Sequence, residues 1–161
     1  MKAIIILFMF LIARPAHDGE FYLAISDPSA EWLTDFSFAQ REASQSGKTI
    51  LLNFSGSDWC GPCINLKKQI FDSDVFSSYA AAHLLLVNAD FPRLKKNKLS
   101  AEQTKQNEEL AERYNKEGAF PYTVLIKPDG TVLKEWSGLP GGSADKFVQE
   151  IKNVTHAGNS N

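Results

Sequence analysis

The chain has 161 residues, 43% of them hydrophobic and 22% charged, with a formal net charge of -2. A chain of this length can bury a hydrophobic core as one domain and needs no disulfide to hold it together. The slightly acidic balance argues against a nucleic-acid-binding protein, which would present a basic face.

The N-terminus carries an apolar run that is typical of an export signal. Lys2 is followed by uninterrupted apolar residues at 3–13, a length that suits a secretory signal and is short for a membrane span. We therefore expect residues 1–16 to be a signal peptide and residues 17–161 to form a domain exported to the periplasm or cell envelope. A retained hydrophobic anchor is the alternative.

Helices and strands are predicted to alternate after this signal. A first helix is predicted to begin after Asp27, with Pro28 at its first position, and to end at Gly47. Its apolar face comprises residues at helical spacing, namely Trp32, Phe36, Ala39 and Ala43. The continuous apolar runs at 49–54 and 83–90 predict strands that are buried on both faces.

The second half of the chain begins with a long polar segment at 91–118. We interpret its basic cluster at 93–98 as a solvated loop, with a docking patch as the alternative. A capping box of Ser100 and Gln103 predicts a helix whose first half projects into solvent. Segments 122–127 and 131–136 predict an antiparallel hairpin, and a last helix is predicted from Ser143. This order predicts a mixed sheet between helical layers, an α/β sandwich.

The two cysteines of the chain, Cys60 and Cys63, are separated by Gly61 and Pro62 in a segment predicted to start a helix after the first strand. A disulfide across so short a loop adds little stability. A structural Zn²⁺ site needs four ligands, and the histidines are too scattered to complete one. Redox chemistry fits better, because a helix N-terminus lowers the pKa of the first thiol and keeps it as thiolate. Cys60 would attack, and Cys63, expected to be more buried, would resolve the mixed disulfide.

The motif WCGPC after a strand, with FPYT at 120–123 and a closing hairpin and helix, resembles the thioredoxin family, in particular its exported members. The resemblance covers residues 30 to 153 in element order. It implies a thioredoxin-like three-layer α/β/α sandwich with a mixed central sheet. The polar helical segment at 93–117 would be an insertion before the strand that follows a cis-proline.

The resemblance also implies a set of site residues around the redox pair Cys60 and Cys63. Those expected to contact the substrate are Trp59, Gly61, Pro62, Phe120 and Pro121. Pro121 corresponds to the cis-proline of the family, where the absence of an N–H leaves the neighbouring backbone free to pair with an extended substrate chain.

Two positions depart from the family pattern. The buried aspartate of the family corresponds to Asn53, and the lysine that partners it corresponds to Leu86. Cys63 therefore lacks the usual proton acceptor. Asp58 is the candidate substitute, through water, and the alternative is that it is an exposed loop acid.

These residues predict a thiol–disulfide oxidoreductase that acts on protein disulfides or dithiols without a cofactor or a metal. We expect a monomer that reduces its substrates and is itself re-reduced by an upstream electron donor, such as a membrane thiol–disulfide transporter. The alternatives are a disulfide oxidase or isomerase, and a non-catalytic binding module with the same fold.

Overall fold

The structure, a computed structural model, describes residues 30–158, except the side chains of residues 157 and 158. The predicted signal peptide and the predicted helix start at Asp27 and Pro28 lie outside the described residues. Within the described part of the chain, no helix has both the length and the apolar character needed to cross a membrane.

Strands and helices alternate along the described chain, as the sequence predicted. The strands are β1 (Trp32–Leu33), β2 (Thr49–Ser55), β3 (Leu84–Asp90), β4 (Tyr122–Ile126) and β5 (Val132–Ser137). The α-helices are α1 (Phe36–Ser46), α2 (Gly61–Leu66), α3 (Asp74–His83), α4 (Ala101–Tyr114) and α5 (Ala144–Gly158). A π-helical turn, Lys67–Phe71, extends α2, and a 3-10 turn, Lys95–Asn97, precedes α4.

The strands form one sheet in the order β1-β3-β2-β4-β5. Strands β1, β3 and β2 run parallel, while β4 is antiparallel to β2 and β5 is antiparallel to β4. The predicted mixed sheet is therefore confirmed. Strand β2 lies in the centre, with every residue from 50 to 55 buried, so the loop that follows it starts from a fixed position.

Alternating side chains of β2 reach two separate hydrophobic layers. Leu51 packs into the layer beneath α3 and α5, together with Phe76 and Phe147. Ile50 and its alternate neighbours pack on the other face with residues of α1 and α4. Helices thus cover both faces of the sheet, which confirms the three-layer sandwich.

The prediction that the first helix includes Trp32 is wrong. Trp32 and Leu33 form strand β1 and pair with Leu86 and Val87 of β3, so Trp32 does not belong to the apolar face of a helix. Helix α1 begins only at Phe36, and Asp35 caps it by accepting a hydrogen bond from the Phe38 N–H at 2.9 Å. The error arose because Trp32 lies one helical turn before Phe36 and fits the helical spacing by position alone.

Helix α4 does not project into solvent in its first half, contrary to the sequence prediction. Gln103 and Gln106 donate hydrogen bonds from their side chains to the carbonyl of Thr34. Asn107 is buried and donates to the carbonyl of Asp90 at 2.8 Å. The helix therefore packs through side-chain amides, which hydrophobic periodicity cannot detect.

Candidate active site

The two cysteines lie at the start of α2, after the loop that connects it to β2. A short loop follows Ser55, and Cys60 is the N-cap residue of α2. Cys60 and Cys63 form a disulfide with an S–S distance of 2.01 Å. Each residue is 4% exposed, so the expected greater burial of Cys63 is not seen in this disulfide form.

The backbone at the start of α2 suits an anion at Cys60. The Cys63 N–H donates a hydrogen bond to Cys60 Sγ at 3.2 Å. Pro62 lies in the first turn, where a missing N–H removes no helical hydrogen bond. After reduction, the same N–H and the helix dipole favour the Cys60 thiolate.

An aromatic wall stands beside the cysteines. The ring of Trp59 lies 5.5 Å from that of Phe120, centroid to centroid, and its Nε1 donates to the carbonyl of Phe91 at 2.7 Å. A Cβ on Gly56 would come within 2.3 Å of the Trp59 ring, so the glycine makes room for the indole. These contacts fix the aromatic side chain that immediately precedes Cys60.

Pro121 is buried at the start of β4, next to Phe120. The Phe120–Pro121 peptide bond is cis, the conformation that the resemblance implies. Because β4 pairs with β2 through Tyr122 and Phe54, Pro121 lies at the end of β2 from which the cysteine loop departs. Gly61 and Pro62, in the first turn of α2, are exposed.

The Asp58 carboxylate links the loop between β2 and α2 to the polar segment that follows β3. It accepts hydrogen bonds from the backbone N–H groups of Arg93 and Leu94 at 2.9 and 3.0 Å, and from Asn97 Nδ2 at 2.9 Å. The N–H of Arg93 is the main cause that holds the pKa of Asp58 below its ordinary value. An acid held ionised in this way is a poor candidate for the predicted proton relay.

Beside Cys63 lies a cavity of about 320 Å³ whose described lining includes Asn53, Asn88 and Ser55 and contains no acid. Asn53 is 6% exposed. Its Nδ2 donates to Asn88 Oδ1 at 3.0 Å, and its Oδ1 accepts from the Thr123 hydroxyl at 3.2 Å. Amide and hydroxyl groups thus surround Asn53, the position to which the resemblance assigns the family's buried carboxylate.

Arg93, Asn88 and Asp90 are site residues that the sequence reasoning missed. The guanidinium of Arg93 lies 3.7 Å from the centroid of the Trp59 ring. Asn88 and Asp90 pair in register with Asn53 and Ser55. The carboxyl ends of parallel strands meet at one sheet edge, and this signal could have placed Asn88 and Asp90 beside the cysteines.

Comparisons with known proteins agree with this geometry. Residues 36–155 match the family model of a thioredoxin-like domain. The protein named disulfide bond reductase DsbH from Chlamydia pneumoniae is 36% identical over 130 residues, which cover 81% of this chain and 75% of that protein. A solved DsbH oxidoreductase structure superimposes with a TM-score of 0.71 at 35% identity, over 78% of this chain and 84% of that one.

A more distant structure shows how far the fold extends. The thioredoxin from Thermus thermophilus matches with a TM-score of 0.59 and 19% identity, over 82% of this chain and 92% of that chain. At this identity the likeness concerns the fold alone. Taken with the family match and the disulfide at the N-terminus of α2, these comparisons show that the chain belongs to the thioredoxin-like family and is a thiol–disulfide oxidoreductase.

Proposed function

We propose that this protein is an exported disulfide reductase that acts on protein disulfides in the periplasm or cell envelope. The observation that carries the proposal is the redox pair at the N-terminus of α2 in a chain that is 36% identical to a protein named disulfide bond reductase. The apolar run after Lys2 supports export. An upstream donor, such as a membrane thiol–disulfide transporter, would keep the pair reduced.

The reaction is two successive exchanges. The Cys60 thiolate attacks one sulfur of the substrate disulfide, which forms a mixed disulfide and releases one substrate thiolate. Cys63 then loses its proton and attacks Cys60 Sγ, so the second substrate thiolate leaves and Cys60 and Cys63 become disulfide-bonded. Two electrons pass to the substrate, and the donor returns two electrons to the pair. The exchange itself uses no cofactor and no metal, and a monomer suffices.

The neighbouring residues receive distinct roles in this scheme. Trp59 and Phe120 form one wall of the substrate groove, and Gly61 and Pro62 form the exposed side on which a substrate approaches Cys60. Phe120 and Pro121 offer backbone to an extended substrate chain. Asn53 lines the cavity beside Cys63, through which water would carry the proton of Cys63 to bulk solvent. Asp58 holds the loop after β3 by hydrogen bonds and does not act as a proton relay.

The reduction potential separates a reductase from an oxidase or isomerase. We expect a value below about -230 mV, close to the roughly -270 mV of thioredoxins and well below the roughly -180 mV of protein disulfide isomerase. The measurement is equilibration of the purified protein with a dithiothreitol redox couple, followed by thiol alkylation. A value near -180 mV or higher would contradict the reductase assignment.

Trapping tests the order of attack. Cys63→Ser should accumulate a mixed disulfide between Cys60 and substrate in a cell-envelope extract, because nothing resolves it. Cys60→Ser is the matched control and should trap nothing. Equal trapping by both variants would show that Cys60 is not the attacking cysteine, and mass spectrometry of the Cys63→Ser adducts would identify the substrates.

A further inference from the structure

A strongly basic segment lies next to the redox pair. Residues 93–98, here named the basic loop, contain Arg93, Lys95, Lys96 and Lys98, and all six residues of the loop are exposed. The whole chain carries a net charge of -2, so this positive charge is local. The redox chemistry proposed above does not use it.

The basic loop is held in place beside Cys60. Asp58, two residues before Cys60, accepts three hydrogen bonds from the loop. The Arg93 guanidinium stacks on the indole of Trp59 at 3.7 Å from the ring centroid. These contacts join the loop to the two residues that precede the attacking cysteine, so its lysines have a defined position relative to the groove.

The lysines of this loop are available to a partner. Among the described residues, none forms an ion pair with Lys95, Lys96 or Lys98. Asp58 is the acid in contact with the loop, and the loop amides already occupy its carboxylate. The loop therefore presents four cationic side chains beside the one carboxylate of Asp58, so its exposed surface next to Trp59 has a net positive charge. Charges at the rim of a binding site govern encounter rate and partner choice.

We propose that the basic loop docks acidic side chains that flank the disulfide of a protein substrate. A substrate approaching Cys60 through the groove passes beside the loop, because Trp59 contacts both Arg93 and the groove residue Phe120. Glutamate or aspartate next to the scissile disulfide would then meet the lysines while the sulfurs come into line. This inference rests on the proposed thiol–disulfide exchange and adds the class of substrate to it.

The test compares three peptides that contain the same intramolecular disulfide, flanked on both sides by glutamates, by glutamines or by lysines. We expect kcat/KM to fall in the order glutamate, glutamine, lysine, with about tenfold between the first two at about 20 mM salt. The ratio should shrink at about 300 mM salt, where screening shortens the range of the attraction. The reduced, dithiol forms of the three peptides should give the same order of kcat/KM when the disulfide form of the protein oxidises them.

A pair of charge-matched variants localises the effect. Lys95→Gln/Lys96→Gln should lower the glutamate-to-glutamine ratio of kcat/KM by about three- to fivefold. The control, Lys146→Gln/Lys152→Gln, removes the same charge from α5, which packs against α3 and β5, and should keep the wild-type ratio. Equal rates for the three peptides, or an unchanged ratio in the loop variant, would overturn the docking role alone. Absence of exchange with every peptide in either direction would overturn the proposed function as well.

Discussion

Asn53 contributes a neutral amide to the wall of the cavity that Cys63 also lines. Its side chain is satisfied by Asn88 and Thr123, and Leu86 is buried in an apolar cluster of the core. The resemblance assigns the family's acid and its lysine partner to these two positions, and both are neutral here, so neither adds an unpaired charge to the described core. In the proposed reaction, the proton of Cys63 therefore leaves without a carboxylate beside it.

Restoring the acid should reveal this environment. Asn53→Asp is expected to lower the free energy of unfolding of the oxidised protein by about 1–3 kcal/mol at pH 8, because a buried charge would replace a satisfied amide. Burial raises the pKa of a carboxyl group above its value in the unfolded chain. The loss should thus be small at pH 4, where the folded protein keeps the acid protonated. It should grow as the pH rises from the unfolded pKa of about 3.9 through the raised folded pKa, and then level off.

Urea unfolding of the oxidised protein at pH 4 and pH 8 measures this difference. Asn53→Ala is the control, because it disrupts the same hydrogen bonds without adding a titrating group. An Asn53→Asp loss that is equal at the two pH values would show that the site is solvated well enough to accept a charge.

The carboxylate oxygens of Asp58 accept hydrogen bonds from the basic loop, and replacing Asp58 should make that loop more mobile. In Asp58→Ala the amides of Arg93 and Leu94 lose the acceptors seen at 2.9 and 3.0 Å and should lose their protection from hydrogen exchange at neutral pH. The folded protein holds the pKa of Asp58 below its ordinary value, mainly through the Arg93 N–H. In the wild type, the contribution of Asp58 is fully present above the unfolded value of about 3.9 and is lost only as the pH falls through the lower folded value.

Amide hydrogen exchange followed by NMR and corrected for intrinsic rates measures the protection of Arg93 and Leu94 in Asp58→Ala at neutral pH. The same measurement on the wild type below pH 4 tests the loss of the Asp58 contribution in acid. The exposed acid Asp145 of α5 offers a matched variant, Asp145→Ala, that should leave the loop amides protected. Unchanged protection of Arg93 and Leu94 in Asp58→Ala would mean that the Arg93–Trp59 stacking alone holds the loop.

Helix α4 shows at the level of an element how polar side chains can dock a helix. Gln103 and Gln106 bind the chain before α1, and Asn107 binds the last residue of β3, Asp90. Ser100 caps the helix by accepting from the Gln103 N–H, as the capping box predicted. The Gln103 side chain, however, bonds to Thr34 and Asn107 instead of returning to Ser100.

Removing one of these amides should loosen the helix. Asn107→Ala is expected to lower the free energy of unfolding by about 1–3 kcal/mol, because the part-buried Asp90 carbonyl loses the buried donor seen at 2.8 Å. Glu108→Ala, at the next and exposed position of α4, should stay within about 0.5 kcal/mol of the wild type. Chemical denaturation measures the free energy of unfolding of both variants. Equal small losses would mean that α4 is held only by its buried apolar residues, Leu110 and Tyr114.

At the scale of the whole molecule, the core on one face of the sheet is built around Phe147. Its ring lies 4.9 Å from that of Trp136, 6.1 Å from that of Phe76 and 6.2 Å from that of Phe71, centroid to centroid. It therefore joins α5 to β5, to α3 and to the turn that extends the cysteine helix.

Truncating this ring should test how far that core supports the fold. Phe147→Ala is expected to cost about 3–5 kcal/mol of unfolding free energy, through lost burial and the cavity left behind. Phe38→Ala is the control, because Phe38 is 41% exposed, and it should cost less than about 1 kcal/mol. Urea titration of the two variants measures both values, and similar losses would contradict the central position of Phe147.

The sequence predicted those parts of the molecule that depend on apolar patterning. Strand β2, strand β3 and the hairpin follow from apolar runs and turn residues, and the WCGPC motif located the redox pair. Strand β1 was missed because two residues carry no periodicity, and only their pairing with Leu86 and Val87 makes them a strand. The docked face of α4 and the place of the basic loop depend on side-chain hydrogen bonds between distant segments, which local sequence patterns do not encode.

The position of β4 beside β2 bears on how the protein is made. Both cysteines have been synthesised by residue 63, whereas the strand that lines the groove spans 122–126 and its Thr123 pairs with Asn53. A growing chain therefore carries two thiols and an open edge of β2 before its groove exists. During that interval the cysteines lack Phe120 and Pro121, so the proposed substrate groove is complete only when the C-terminal hairpin has joined the sheet.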